Sequence, residues 1–185
     1  MKKQRAVFLD RDGVLVVPEF REGRSFAPTR FEDFQLYPGI RPSLLALKQA
    51  GYRLVVVTNQ PDVGKGVISR ETLARMHDTL RDKLPVDDVR VCEHTRMDDC
   101  NCRKPKAGML LEAARAANIS LADSFMVGDR ESDVAAGKAA GCRTIFIDLK
   151  YEAEPKPSDP DWAVSSLQEA AQIILVETNN KERPA

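Results

Sequence analysis

Short apolar runs alternate along the chain with longer stretches in which apolar residues recur at helical spacing. Residues 6–9, 54–57, 125–127 and 144–147 are aliphatic, aromatic or β-branched at successive positions, the pattern of parallel strands buried on both faces. Residues 89–91 form a shorter run of the same kind. Between these runs, Leu73, Met76, Leu80 and Leu84 fall on one helical stripe behind Ser69, a side chain suited to capping a helix N-terminus. Residues 40–50 read as a helix stopped by Gly51, 107–117 and 131–140 as Ala-rich helices with Gly141 closing the second, and 165–175 as a last helix. Parallel strands need crossover helices, so this alternation predicts an α/β fold with a doubly wound, Rossmann-like parallel sheet.

Two segments break the alternation. Residues 18–38 form a loop-rich insert carrying Phe20, Phe26, Phe31, Phe34 and Tyr37, and residues 92–106 are polar and cysteine-bearing. Residues 155–160 read as a surface loop, and 177–185 as a frayed tail beyond a core spanning about 5–176. The 185 residues suit one domain, taken as 1–185, and no internal repeat is present.

Charge changes this picture little. Lys+Arg and Asp+Glu stand at 28 each, so no net field draws the chain to nucleic acid or to an anionic membrane. The start, MKKQRAVFLDRDG, resumes its charges after four apolar residues, too few for a signal peptide, which needs roughly 7–15. A cytoplasmic location is therefore expected. In that setting the four cysteines argue for metal ligation or buried thiols rather than disulfides.

The candidate chemistry lies at the predicted strand ends, where ligands bind in open α/β sheets. Leu9-Asp10-Arg11-Asp12-Gly13 places two carboxylates where the first strand turns. The second strand ends in Thr58-Asn59-Gln60, and another in Gly128-Asp129-Arg130-Glu131-Ser132-Asp133. Arg103-Lys104-Pro105-Lys106 precedes the helix at 107. Acids, a hydroxyl, an amide and cations are the parts phosphoryl transfer requires. Mg²⁺ prefers hard oxygen donors, which Asp10, Asp129 and a backbone carbonyl at Asp12 offer. Thr58, Asn59 and Lys104 are suited to the charge on the transferring group.

In their order and spacing these four segments resemble the motifs of the haloacid dehalogenase-like phosphatase superfamily. The resemblance implies Asp10 as nucleophile, Asp12 as general acid and base, Thr58 and Lys104 as phosphate stabilisers, and Asp129 as Mg²⁺ ligand, with Asp133 orienting Lys104 or the metal waters. The short separations from Asp10 to Thr58 and from Thr58 to Lys104 leave no room for a cap domain, so the site is expected to be open. Phe26, Phe31 and Phe34 then belong either to the loop's own core, the preferred reading, or to a substrate wall.

Cys92-Glu93-His94 and, after five residues, Cys100-Asn101-Cys102 supply three thiols and an imidazole. Such a set suits a closed tetrahedral, structural Zn²⁺ site, which would aim Arg103 and Lys104 as they leave Cys102. Cys142 is expected to be a buried apolar side chain, and His77 a solvated one on a polar helix face. The cysteine pattern running into Arg-Lys-Pro is similar to a zinc-containing branch of the superfamily. That branch holds heptose bisphosphate and histidinol-phosphate phosphatases. It implies a small phosphorylated sugar as substrate, the 7-phosphate of D-glycero-D-manno-heptose 1,7-bisphosphate being preferred over histidinol phosphate. No heptad or long apolar stripe demands association, so a monomer is expected. Arg103 is the candidate for binding the rest of the ligand, since its guanidinium reads a second phosphate bidentately, with Arg130 and Lys65 adding charge. The competing view makes the zinc loop an interaction module on a phosphatase scaffold; the intact Asp10, Asp12 and Asp129 speak against it.

Overall fold

The computed structural model describes residues 3–182. In chain order its elements are β1 (Arg5–Leu9), β2 (Glu19–Arg21), β3 (Arg24–Phe26), α1 (Ile40–Gln49), β4 (Tyr52–Asn59), α2 (Pro61–Gly64), α3 (Arg70–Lys83), β5 (Asp88–Cys92), α4 (Gly108–Ala116), β6 (Phe125–Gly128), α5 (Glu131–Ala140), β7 (Arg143–Ile147), β8 (Trp162–Val164) and α6 (Leu167–Glu182). Six strands form one sheet in the order β5-β4-β1-β6-β7-β8, every pair parallel. The chain leaves β1 toward β4 on one side and returns through β6 on the other. The C-terminal end of β1 is therefore the topological switch point, where open sheets form their ligand crevice.

Both faces of the sheet are dry. Val7 and Leu9 of β1 point into a core built with α1, α3 and α6, while Ala6 and Phe8 point into a second core built with α4 and α5. A strand covered on both faces has no use for a polar alternation, which is why its sequence reads as a continuous apolar run. The helix boundaries follow local chemistry. Ser69 caps α3 by accepting a hydrogen bond from the Thr72 amide at 3.0 Å. Gly141 ends α5 at φ +83°, a left-handed position that a glycine takes without penalty. No helix among the described residues is long and apolar enough to cross a membrane.

Four expectations are corrected. The insert at 18–38 contains an antiparallel hairpin, β2–β3, turned through Glu22 and Gly23, both at positive φ, as a two-residue hairpin turn requires. Of its aromatic residues, Phe34 is buried and Phe31 packs on the core, whereas Phe26 stands partly exposed in the wall of the cleft described below. The tail is not frayed from 177. Helix α6 continues to Glu182 because Thr178 is buried and its hydroxyl meets that of Tyr52 at 2.7 Å, while Glu177 pairs with Arg143 at 3.1 Å. Residues 183–185 lie outside the described residues. His77 is buried rather than solvated, because the guanidinium of Arg11 lies beneath α3 and gives its ring nitrogen a partner. Cys142 is buried in the second core, as its surroundings in the sequence suggest.

Candidate active site

Three carboxylates and one ammonium meet where β1 and β6 end. Asp10 follows β1, Asp129 follows β6, and Asp133 projects back from the first turn of α5. One oxygen from each lies within 4.8 Å of the others, and all three residues are buried. Lys104 enters from the loop before α4. Its Nζ contacts Asp10 Oδ1 at 2.8 Å, Asp133 Oδ1 at 2.6 Å and the Val57 carbonyl at 2.8 Å. Gly13 makes this approach sterically feasible: its φ is +92°, and a Cβ there would sit 2.2 Å from Asp129 Oδ2.

Asp12 stands apart from this trio. Its carboxylate is held by Arg11 at 3.0–3.1 Å and by Gln60 Nε2 at 2.7 Å. Gln60 also donates to Thr58 Oγ1 at 2.9 Å, so the hydroxyl's own proton is directed elsewhere. Arg11 is fully buried, boxed by Asp12, His77 and the ring of Phe34. The carboxylates thus divide into a set of three around Lys104 and a fourth fixed by a separate network.

Asn59 and Arg130, the expected substrate contacts, also hold groups of the protein itself. The Asn59 side chain accepts from the Lys104 amide at 3.1 Å and donates to its carbonyl at 3.0 Å, clamping the lysine's backbone. Arg130 donates to the Ser25 carbonyl and hydroxyl, both at 2.6 Å, and pairs with Glu154 at 3.4 Å, so it latches the β2–β3 hairpin over the cleft. Both residues line the cleft. Arg103 lines the cleft and donates from Nη1 to the His94 carbonyl at 3.1 Å. The cleft has a volume of about 710 Å³, and its walls come from the hairpin, α2 and the cysteine loop.

The cysteine loop closes on itself. Sγ of Cys102 lies 3.3 Å from that of Cys92, 3.4 Å from that of Cys100 and 3.2 Å from Nδ1 of His94, and Cys92 lies 3.6 Å from Cys100 and from His94. These separations are far too long for disulfides. A tetrahedron with metal–sulfur bonds of about 2.3 Å has edges of about 3.8 Å, which the cluster approaches. The loop is seated tightly on α4, where a Cβ on Gly108 would come within 2.1 Å of the Asn101 carbonyl.

The model of the haloacid dehalogenase-like hydrolase family matches residues 26–141. The D-glycero-beta-D-manno-heptose-1,7-bisphosphate 7-phosphatase of Helicobacter pylori (strain ATCC 700392 / 26695) is 34% identical over 153 residues, covering 80% of this chain and 85% of that protein. The enzyme of the same name from Pasteurella multocida is 36% identical over 184 residues, covering 92% and 97%. This chain belongs to the haloacid dehalogenase-like hydrolase family. Among solved structures, the D,D-heptose 1,7-bisphosphate phosphatase of B. bronchiseptica, complexed with magnesium and phosphate, superposes with a TM-score of 0.77 at 28% identity, covering 94% of this chain and 99% of that one.

The electrostatics of the site favour a bound positive charge. Burial lifts Asp129 well above the ordinary carboxylate range, and the charges of Asp10 and Asp133 lift it further. Burial and Asp10 also push Asp133 up to about 6, against the pull of Lys104. Burial alone would lower the Lys104 pKa, but Asp10 and Asp133 outweigh it and hold the amine charged. Three buried acids facing one ammonium, with Asp129 Oδ1 lacking any hydrogen-bond partner, suit a hard divalent cation. In the cysteine loop, burial and neighbouring thiols push Cys102 up to about 12, since three clustered thiols resist joint ionisation without a cation.

The structure brings Asp10, Asp129, Asp133 and Lys104 together and holds Asp12, expected at the same point, in the separate network of Arg11 and Gln60. Sequence reasoning missed the supporting residues Arg11, Gln60, His77, Ser25, Tyr151 and Glu154. Arg11 and Gln60 sit inside the motif segments and carried a signal in their position. Tyr151 and Glu154 lie in an irregular loop whose proximity to β6 no local pattern reveals.

Proposed function

We propose that this chain hydrolyses a sugar phosphomonoester, the 7-phosphate of D-glycero-D-manno-heptose 1,7-bisphosphate, through an aspartyl-phosphate on Asp10. The observation that carries the reaction class is the Lys104 ammonium lying between Asp10 and Asp133 beside the buried, half-unpartnered carboxylate of Asp129. The substrate reading draws on the named activity of relatives that align with most of the chain.

One Mg²⁺ would be held by the carboxylates of Asp10 and Asp129 and the backbone carbonyl of Asp12. When bound it supplies the charge that offsets repulsion between a carboxylate nucleophile and a phosphoryl dianion. Asp10 attacks phosphorus, the bond from phosphorus to the sugar oxygen breaks, and Asp12 gives its proton to that oxygen. Asp12 then takes a proton from water, the water oxygen attacks the acyl phosphate, and the bond from phosphorus to Asp10 breaks to release phosphate. Lys104 and Thr58 hold the equatorial phosphoryl oxygens, Asp133 and Asn59 hold Lys104, and Arg11 with Gln60 aim Asp12. Arg103, at the cleft mouth, pairs with the remote phosphate. Cys92, His94, Cys100 and Cys102 would hold a structural Zn²⁺ that sets the exit direction of Arg103 and Lys104.

A substrate panel tests this reading. With Mg²⁺ present, the heptose bisphosphate should be turned over at least about tenfold more efficiently than histidinol phosphate, since a second phosphate adds charge-assisted hydrogen bonds. Equal or better turnover of histidinol phosphate would sink the substrate assignment. Asp10→Asn should lower kcat by about 10⁴-fold or more while the protein stays folded. Retained Mg²⁺-dependent turnover in that variant would remove Asp10 as nucleophile.

A further inference from the structure

Tyr151 lies in the irregular segment between β7 and β8, away from every motif that carries the chemistry. It is nevertheless buried, and its hydroxyl donates to Asp129 Oδ2 at 2.5 Å. The other oxygen of that carboxylate, Oδ1, is buried without a hydrogen-bond partner. Beside the Tyr151 hydrogen bond the Asp129 carboxylate packs against bare Gly13, where an added Cβ would strike both Oδ2 and, at 3.0 Å, the Tyr151 hydroxyl. The carboxylate is thus fixed through one oxygen only, and the second is left over.

Tyr151 is itself held from the hairpin side. The ring of Phe20 lies 5.5 Å away, centroid to centroid, and the Ala153 amide donates to the Gly23 carbonyl at 3.1 Å. The segment that walls the cleft and the carboxylate at the end of β6 therefore meet on one phenol.

We propose that Tyr151 is a positioning residue for the divalent cation: by holding Oδ2 of Asp129 it presents Oδ1 to the ion. This rests on the reading of Asp10 and Asp129 as the cation site. Partners outside the coordination shell that fix a ligand's orientation commonly contribute 10–100-fold to metal affinity, so loss of one hydroxyl should be measurable as binding.

The test is calorimetric titration of Mg²⁺ into the full-length protein, its zinc retained. Tyr151→Phe keeps the ring against Phe20 and should weaken Mg²⁺ binding by about tenfold or more, whereas Phe20→Ala, which keeps the hydroxyl, should change it by less than about twofold. In assays, Tyr151→Phe should raise the Mg²⁺ concentration needed for half activation, with kcat at saturating Mg²⁺ near that of the parent. In the parent protein the same titration should perturb near-ultraviolet tyrosine absorbance, and Tyr151→Phe should abolish that signal. Unchanged Mg²⁺ affinity in Tyr151→Phe, equal weakening in Phe20→Ala, or an absorbance that Mg²⁺ leaves untouched in the parent would each overturn the proposal. A parent protein that binds no Mg²⁺ would instead remove the cation site itself.

Discussion

At the scale of single residues, the acids of this site differ because their neighbours differ. Asp10 and Asp133 share an ammonium, Asp129 has a phenol on one oxygen and nothing on the other, and Asp12 is held by Arg11 and Gln60. Arg11 is fully buried against the Asp12 carboxylate, the ring of Phe34 and His77, whose ring nitrogen lies 3.3 Å away. Arginine has no acceptor to offer, so the imidazole must receive this bond as a neutral ring. Burial first, then the charges of Arg11 and Arg81, push the His77 pKa from 6.5 down to about 3. Below 6.5 the unfolded ring takes up a proton that the folded ring refuses until about pH 3. Stability from this residue is thus complete above 6.5 and declines as pH falls through that window, by at most about 1.4 kcal/mol per pH unit. His77→Gln keeps a hydrogen-bonding side chain for Arg11 but cannot titrate. Urea melts at pH 7.5 and pH 5 should therefore show a smaller loss of stability in the variant than in the parent; equal losses would contradict a buried neutral ring.

At the scale of elements, each functional group is delivered by the end of a regular segment and secured by an irregular one. Strands β1 and β6 supply Asp10 and Asp129, while the loop from Cys92 to Lys104 has little apolar surface to hold it. Its only large apolar side chain between the cysteines, Met97, is 92% exposed. A zinc ion held by Cys92, His94, Cys100 and Cys102 would take over that task, and Gly108 lets the loop press against α4. On the proposed zinc reading, Cys100→Ser should lower zinc content toward zero and reduce the melting temperature by several degrees, because the affinity of a structural metal site adds to folding free energy. Elemental analysis with thermal melts checks this, and full zinc occupancy in the variant would refute it. The strands and helices that deliver the motifs were legible because their apolar periods are long and their caps, Ser69, Gly51 and Gly141, carry local signals. The β2–β3 hairpin and β8 were not. Each strand has three residues, too short for a period, and the hairpin's one signal was Glu22-Gly23 at its turn.

At the scale of the molecule, α6 closes one face of the sheet against α1 and brings the chain's last described turns back to β4. The contact is polar but buried: Thr178 donates to the Ile174 carbonyl at 2.7 Å and shares a hydrogen bond with Tyr52 at 2.7 Å. Thr178→Val would leave the Tyr52 hydroxyl buried without its partner, at a cost of about 1–3 kcal/mol. For a chain of this size that corresponds to a fall in melting temperature of about 2–12 °C, read by calorimetry. No loss would mean that the hydroxyl finds water instead.

By itself the sequence determined the parallel sheet, the strand ends that carry the acids, the lysine and the cysteine set, because periodicity, capping and motif spacing are local properties. Only the tertiary structure decided which groups support them. Which protein groups Asn59 and Arg130 hold, whether His77 is wet or dry, and which side chain grips Asp129 depend on residues up to 105 positions apart meeting in space. Such pairings are selected by packing across the sheet's switch point, and a run of neighbouring residues holds no trace of them.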